Sequence, residues 1–154
     1  PDKLDKCLEL GADFAVDHRK EDWHKEVRAI SKELAKKKGE APGIDLSFDH
    51  IGETHWNQQL QLLKYGATLV SCGATTGYNA KTDLRHVFFK GTNILGSTQG
   101  TKAELDQALY WMGQGKIKAA IDSTYTFEQA AEAHTKMLTG KGLFGKILMK
   151  PEGA

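Results

Sequence analysis

Apolar residues along this chain change their spacing several times, and each change marks a new element. Leu4, Cys7 and Leu8 share a helical face, so residues 2–10 read as a helix stopped at Gly11. Trp23, Val27, Ile30 and Leu34 recur at helical spacing with Glu and Lys between them, which predicts the longest helix over 21–38. Lys36, Lys37 and Lys38 followed by Gly39 suit its end, because cations favour a helix C-terminus and glycine suits the cap. Further helices are expected over 54–64 (Trp56, Leu60 and Leu63 inward), 82–89 (Leu84, Val87 and Phe88 buried) and 101–112 (Leu105, Leu109 and Met112 inward). A last helix is expected over 126–138. Thr101 with Glu104, and Thr126 with Gln129, match the capping box that opens a helix.

Between these lie short apolar, β-rich runs at 12–16, 44–48, 92–96, 121–126 and 146–149. The run that organises the rest is Gly66 to Ala74, a buried strand from Ala67 to Ser71 entered through one glycine and left through another. Helices and strands alternate for most of the length, which predicts an α/β fold with a doubly wound, mainly parallel sheet. Ligands of such sheets sit at the carboxyl ends of the strands. Cys72, Gly73, Ala74, Thr75 and Thr76 occupy that position here.

Composition narrows the function classes. A chain of 154 residues with 40% hydrophobic residues is long enough to bury a core, and its size reads as one domain. A net charge of +1 gives no global field for nucleic acid or membrane, and the lysines at 36–38 are the one feature favouring a basic nucleic-acid module. Cys7 and Cys72 form no CxxC and point to a reducing compartment; with no leader and no run long enough to span a bilayer, the expected location is cytoplasmic. The start at Pro1, without Met, reads as a fragment, a processed chain or an engineered boundary.

Gly140-Lys141-Gly142-Leu143-Phe144-Gly145 matches GxGxxG letter for letter, but it follows a helix and precedes a strand. A phosphate cradle needs the reverse order, so that a helix N-terminus faces the pyrophosphate. The run reads as a turn. His50 and His55 lack the spacing and companions of a metal set, so no metal site is expected. Cys72 reads as a small buried thiol. Asp49, at a strand end, suits either a cap or a cofactor contact.

The order of motifs resembles the medium-chain dehydrogenases/reductases. Leu10-Gly11-Ala12-Asp13 with Val16-Asp17 looks like one family step, and Gly43-Ile44-Asp45 through Asp49-His50-Ile51-Gly52 like the next. Leu62 to Gly66 with Leu69 to Gly73, then Ile94 to Ser97, then Gly142 to Ile147 complete the series. The nearest branch is the zinc-containing alcohol dehydrogenase and quinone oxidoreductase group. The resemblance implies a Rossmann cofactor domain inserted between parts of a GroES-like catalytic domain. Residues 1–140 would be a partial NAD(P)-binding Rossmann domain without its first two strands and glycine-rich turn, and 141–154 the return strand toward the catalytic domain. Residues 13–16 would be the family's third strand, its neighbour absent, left beside strand 44–48 or paired with another chain.

Carried over residue by residue, the resemblance places Lys3 at the 2′-phosphate of NADP and Asp49 and Ile51 near the adenosine. Cys72, Gly73 and Ala74 fall along the nicotinamide ribose, and Leu95, Gly96 and Ser97 at the carboxamide. Phe144, Gly145 and Lys146 fall near the nicotinamide. Small residues at 73 and 96 suit a close ligand approach. The implied cofactor is NADP or NAD, with zinc possible in a parent enzyme but without ligands in this chain. The implied partners are that dinucleotide, a small carbonyl, alcohol, quinone or enone, and a second copy in a homo-oligomer such as a dimer. The parent would transfer hydride, while this chain alone is expected to be inactive and to bind NADP weakly or not at all. The alternative is a truncated, non-enzymatic chain acting as a dimerising or binding module. No catalytic residue is identified from the sequence.

Overall fold

The computed structural model describes residues 2–151 and 153. Its elements run α1 (Asp2–Glu9), α2 (Trp23–Lys38), β1 (Ile44–Asp49), α3 (Trp56–Leu62), β2 (Leu63–Ser71) and α4 (Leu84–Phe88). They continue with β3 (Asn93–Gly96), α5 (Lys102–Gly113), β4 (Ile121–Thr126), a 3-10 turn (Phe127–Gln129), α6 (Ala130–Thr139) and β5 (Lys146–Lys150). These fall into two compact units. One is Val16–Gln99; the other takes in residues up to Ala15 and from Gly100 onward.

In the Val16–Gln99 unit, β1, β2 and β3 form one parallel sheet in that order. Phe48 pairs with Val70 and Val70 with Leu95, so the three strands end together. Segments 44–48, 67–71 and 92–96 thus share one sheet, as the sequence predicts. The core is Leu60, Leu63, Ala67 and Leu69, with Ile44 and Trp56 packed against it. The boundary between helix and strand shifts: Leu63 takes an extended backbone at φ −65° and ψ 144°, so α3 stops at Leu62 and β2 begins at Leu63 rather than at Ala67. The Lys90 ammonium holds this junction, donating to the carbonyls of Leu60, Gln61 and Leu63 at 3.2, 2.9 and 2.8 Å. It satisfies acceptors that the helix end leaves open. At the carboxyl end of the longest helix, Gly39 caps α2 in the left-handed conformation at φ +69°.

In the other unit, β4 and β5 form a two-stranded parallel sheet against which α6 packs. Both capping boxes form: Thr101 and Glu104 open α5, and Thr126 and Gln129 open the 3-10 turn that leads into α6.

Three expectations fail. Residues 12–16 are irregular rather than a strand, because no strand of either sheet among the described residues offers them a ladder partner. Leu84 and Phe88 are exposed, because α4 is five residues long and offers little more than one turn to a neighbour. Leu105, Leu109 and Met112 are exposed as well. Spacing defines a face but not what covers it, and the small sheet of that unit is packed by α6.

Candidate functional site

The carboxyl ends of β1, β2 and β3 gather eight of the expected site residues into one unit: Asp49, Ile51, Cys72, Gly73, Ala74, Leu95, Gly96 and Ser97. The organising feature is Asp49, only 2% exposed at the last position of β1. Its carboxylate accepts from the backbone amides of Ile51 and Gly52, each at 3.1 Å, and from the Gln59 side chain at 2.7 Å. Ser47 in turn donates to Gln59 at 2.6 Å. A buried carboxylate is tolerated only when hydrogen-bonded in this way. Of the two roles open to Asp49 from the sequence, its contacts are those of a clamp on the loop after β1.

That loop is stitched to the one after β2. Cys72 donates its amide to Asp49 O at 2.8 Å, and Thr76 donates both its amide and its hydroxyl to Ile51 O at 2.8 Å. The Thr75 hydroxyl donates to His50 O at 2.8 Å. The fit is close at two glycines, and at Gly52 the backbone conformation itself favours glycine. A Cβ on Gly52, whose φ is +86°, would stand 2.7 Å from Gly77 O, and one on Gly73 would stand 3.2 Å from His50 O. On the far side, Ser97 donates to Ser71 O at 2.9 Å and carries β3 into the same edge. A Cβ on Gly96 would meet no atom within 4 Å, so its bare backbone faces open space.

Cys72 is exposed, not buried as expected, because β2 has ended and its residue sits on the rim of the stitched loops. Along β1, a groove of about 540 Å³ is lined by His18, Trp23, Phe48, His50, Ile51 and His55, among others. His55 Nε2 and His18 Nδ1 stand 3.3 Å apart, and the Trp23 ring lies edge-on to His55 at 5.0 Å between centroids. Burial, and then the neighbouring His18, hold the His55 imidazole below its ordinary pKa.

The remaining expected residues belong to the other unit. Lys3 is exposed on α1. Phe144 donates its amide to the Asp122 carboxylate at 2.9 Å, and Lys146 donates its amide to Ala120 O at 2.8 Å, so the turn before β5 is fastened to β4. Lys136 pairs with Asp122, and that bond leads the contacts that hold the carboxylate well below its ordinary pKa. Gly140, at φ +59°, caps α6, so the GxGxxG letters do form the turn expected of them.

Sequence reasoning missed Gln59, Ser47 and Asp122, and it placed Thr75 and Thr76 at the strand end without their bonds across to the loop after β1. Only the Thr-rich composition of the loop after β2 hinted at them, since polar side chains that bond across a loop carry no periodic signal. Among the described residues, no three His, Cys, Asp or Glu side chains gather as a metal-holding group. No helix among them is long and apolar enough to cross a membrane.

Comparison with known proteins agrees with this geometry. Residues 10–149 match a protein-family profile described as zinc-binding dehydrogenase. Quinone oxidoreductase from Pongo abelii is 32% identical over 132 residues, covering 82% of this chain and 39% of that protein. Crotonyl-CoA reductase from Streptomyces collinus is 27% identical over 165 residues, covering 99% of this chain and 36% of the relative. A crystal structure of an NAD-dependent alcohol dehydrogenase superposes with a TM-score of 0.80 at 32% identity, covering 97% of this chain and 41% of that one. The chain therefore spans about two fifths of the length of the proteins it matches.

Proposed function

We propose, for a chain that belongs to the zinc-binding dehydrogenase family of the medium-chain dehydrogenases/reductases, that it is the later part of a domain holding NADP or NAD in a cytoplasmic oxidoreductase. The observation that carries this reading is the single parallel sheet whose three carboxyl ends finish in stitched, small-residue turns. That is where dinucleotides lie on open α/β sheets. Cys72, Gly73 and Ala74 would line the ribose on the nicotinamide side. The backbone of Leu95, Gly96 and Ser97 would meet the carboxamide, with the open space at Gly96 admitting it. Ile51 would pack toward the adenosine, its loop set by Asp49. Lys3 would face a 2′-phosphate, and Phe144, Gly145 and Lys146 the nicotinamide.

The bound dinucleotide supplies hydride transfer to or from a small carbonyl, alcohol, quinone or enone; the protein supplies orientation and exclusion of water. The residues described provide no three-ligand set for zinc, and no step is assigned to it. The pyrophosphate cradle, a glycine-rich turn between a strand and a helix, is not encoded in these residues, so the chain alone binds the dinucleotide weakly. The test is nicotinamide oxidation by the longest natural protein that contains this sequence, assayed with quinones, enones and aldehydes. The reading expects turnover with at least one class, and a fall of about tenfold or more when Gly96→Val fills the open space. No oxidation with any class would overturn it.

A second reading rests on β1. Its one ladder partner among the described residues is β2, and Leu46 and Phe48 are 59% and 64% exposed. An open, apolar strand edge needs cover, which favours a dimerising or binding module. A stable monomer by sedimentation would remove that basis.

A further inference from the structure

The opposite end of the same sheet carries basic side chains that the proposed function does not use. A groove of about 450 Å³ lies at the start of β1 and β2, lined among others by Arg28, Lys32, Gly43, Lys64, Tyr65 and Lys90. All lie within the Val16–Gln99 unit. Gly43 precedes β1, and Lys64 and Tyr65 open β2, whereas Asp49 and Ser71 close those strands. The groove is therefore separated from the dinucleotide reading by the length of the sheet.

The charges here are not balanced. Asp45 and Glu40 both pair with Lys64, at 2.9 and 3.4 Å, and the one negative charge this trio leaves over stands against the three cations Arg28, Lys32 and Lys90. Lys90 spends its three donors on the carbonyls at the end of α3, which covers acceptors that would otherwise repel an anion. Arg28 and Lys32 stand four residues apart on α2, hence on one face, and neither has a side-chain hydrogen bond or ion pair among the described residues. Like charges at this spacing repel. Lys90 registers the same field: burial lowers its pKa first, and the charge of Arg28 lowers it further.

We propose that this groove is a binding site for a phosphate group carrying two negative charges, held between Arg28 and Lys32 at the amino end of the sheet. A guanidinium forks onto phosphate oxygens with two parallel hydrogen bonds, and an ammonium adds a second charge. Tyr65, 76% exposed at the rim, offers a flat ring to whatever the phosphate is attached to. The phosphate belongs to a free inorganic anion or to a nucleotide; the chemistry of capture is the same.

The test is a titration of the chain with inorganic pyrophosphate, then with adenosine diphosphate, at constant ionic strength, read by amide chemical shifts. The site predicts saturable shifts at Arg28–Lys32, Gly43, Lys64 and Tyr65, and a loss of affinity of about tenfold or more in an Arg28→Gln, Lys32→Gln double variant. Glutamine keeps helix propensity, and circular dichroism verifies that the variant is folded. Tighter binding of adenosine diphosphate with shifts centred on Tyr65 assigns a nucleotide; equal binding assigns a free anion. Absence of saturable shifts in this groove, or equal affinity in the double variant, overturns the proposal. Shifts confined to Gly73 and Gly96 also overturn it, and would speak only for the dinucleotide reading.

Discussion

Gln59 donates its side-chain amide to the buried carboxylate of Asp49 across 2.7 Å, joining the middle of α3 to the last residue of β1. The same carboxylate holds the amides of Ile51 and Gly52. Asp49→Ala leaves those amides and Gln59 without their acceptor in a nearly closed site. The expected loss is about 1–3 kcal/mol in folding stability, measured by urea denaturation. Amide exchange at Ile51 and Gly52 should accelerate more than exchange in β2.

Leu69 is completely buried in the middle strand. Truncation there removes methyl groups and leaves a cavity among Leu60, Leu63 and Ala67. Leu69→Ala should cost about 3 kcal/mol, read from the same denaturation curve. Ile94→Ala, on the exposed face of β3, should cost less than Leu69→Ala.

Two glycines at the same sheet end should respond in opposite ways. Gly52→Ala forces a side chain into the left-handed region against Gly77 O, and should destabilise by about 1–3 kcal/mol. Gly96→Ala meets no protein atom within 4 Å, so the fold should tolerate it. Thermal melts of the two variants give the comparison. Equal losses would contradict the assignment of Gly96 to open space.

His55 supplies a pH dependence. Its folded pKa lies below the ordinary value, with burial the leading cause, so the folded chain prefers the neutral ring. Stability from this group is present above the unfolded pKa of about 6.5 and falls as the pH drops from there toward the folded value. Melting temperatures between neutral and mildly acidic pH should decline over that window, and the decline should flatten in His55→Gln. An unchanged pH profile in the variant would show that His55 is not its source.

The sheet was legible because its strands carry dense, β-branched or apolar runs that glycines punctuate, as Gly66 and Gly73 do around Leu69 and Val70. The helix caps were legible because a capping box is a local pair, Thr101 with Glu104, that needs nothing distant. The run at 12–16 misled for the converse reason: strand residues form a strand only with a ladder partner, which local composition does not report. The positions of Cys72, Gly73 and Ala74 at a strand end were readable. The stitching of that end by Thr75 and Thr76 depends on contacts between two loops about twenty-five residues apart, and its clamp on a bond from Gln59 in α3 to Asp49 at the end of β1. Nor did the helical spacing of Leu105, Leu109 and Met112 indicate what would cover them.

The proposed dinucleotide site puts the nicotinamide side at the carboxyl ends of β2 and β3 and the adenosine side at the end of β1. Titrating the chain with NADPH and following amide shifts tests it directly. Saturable shifts at Cys72–Ala74 and Leu95–Ser97 are expected, with a dissociation constant of roughly 0.1 mM or weaker. Binding in the micromolar range, or shifts that leave those six residues unmoved, would contradict it.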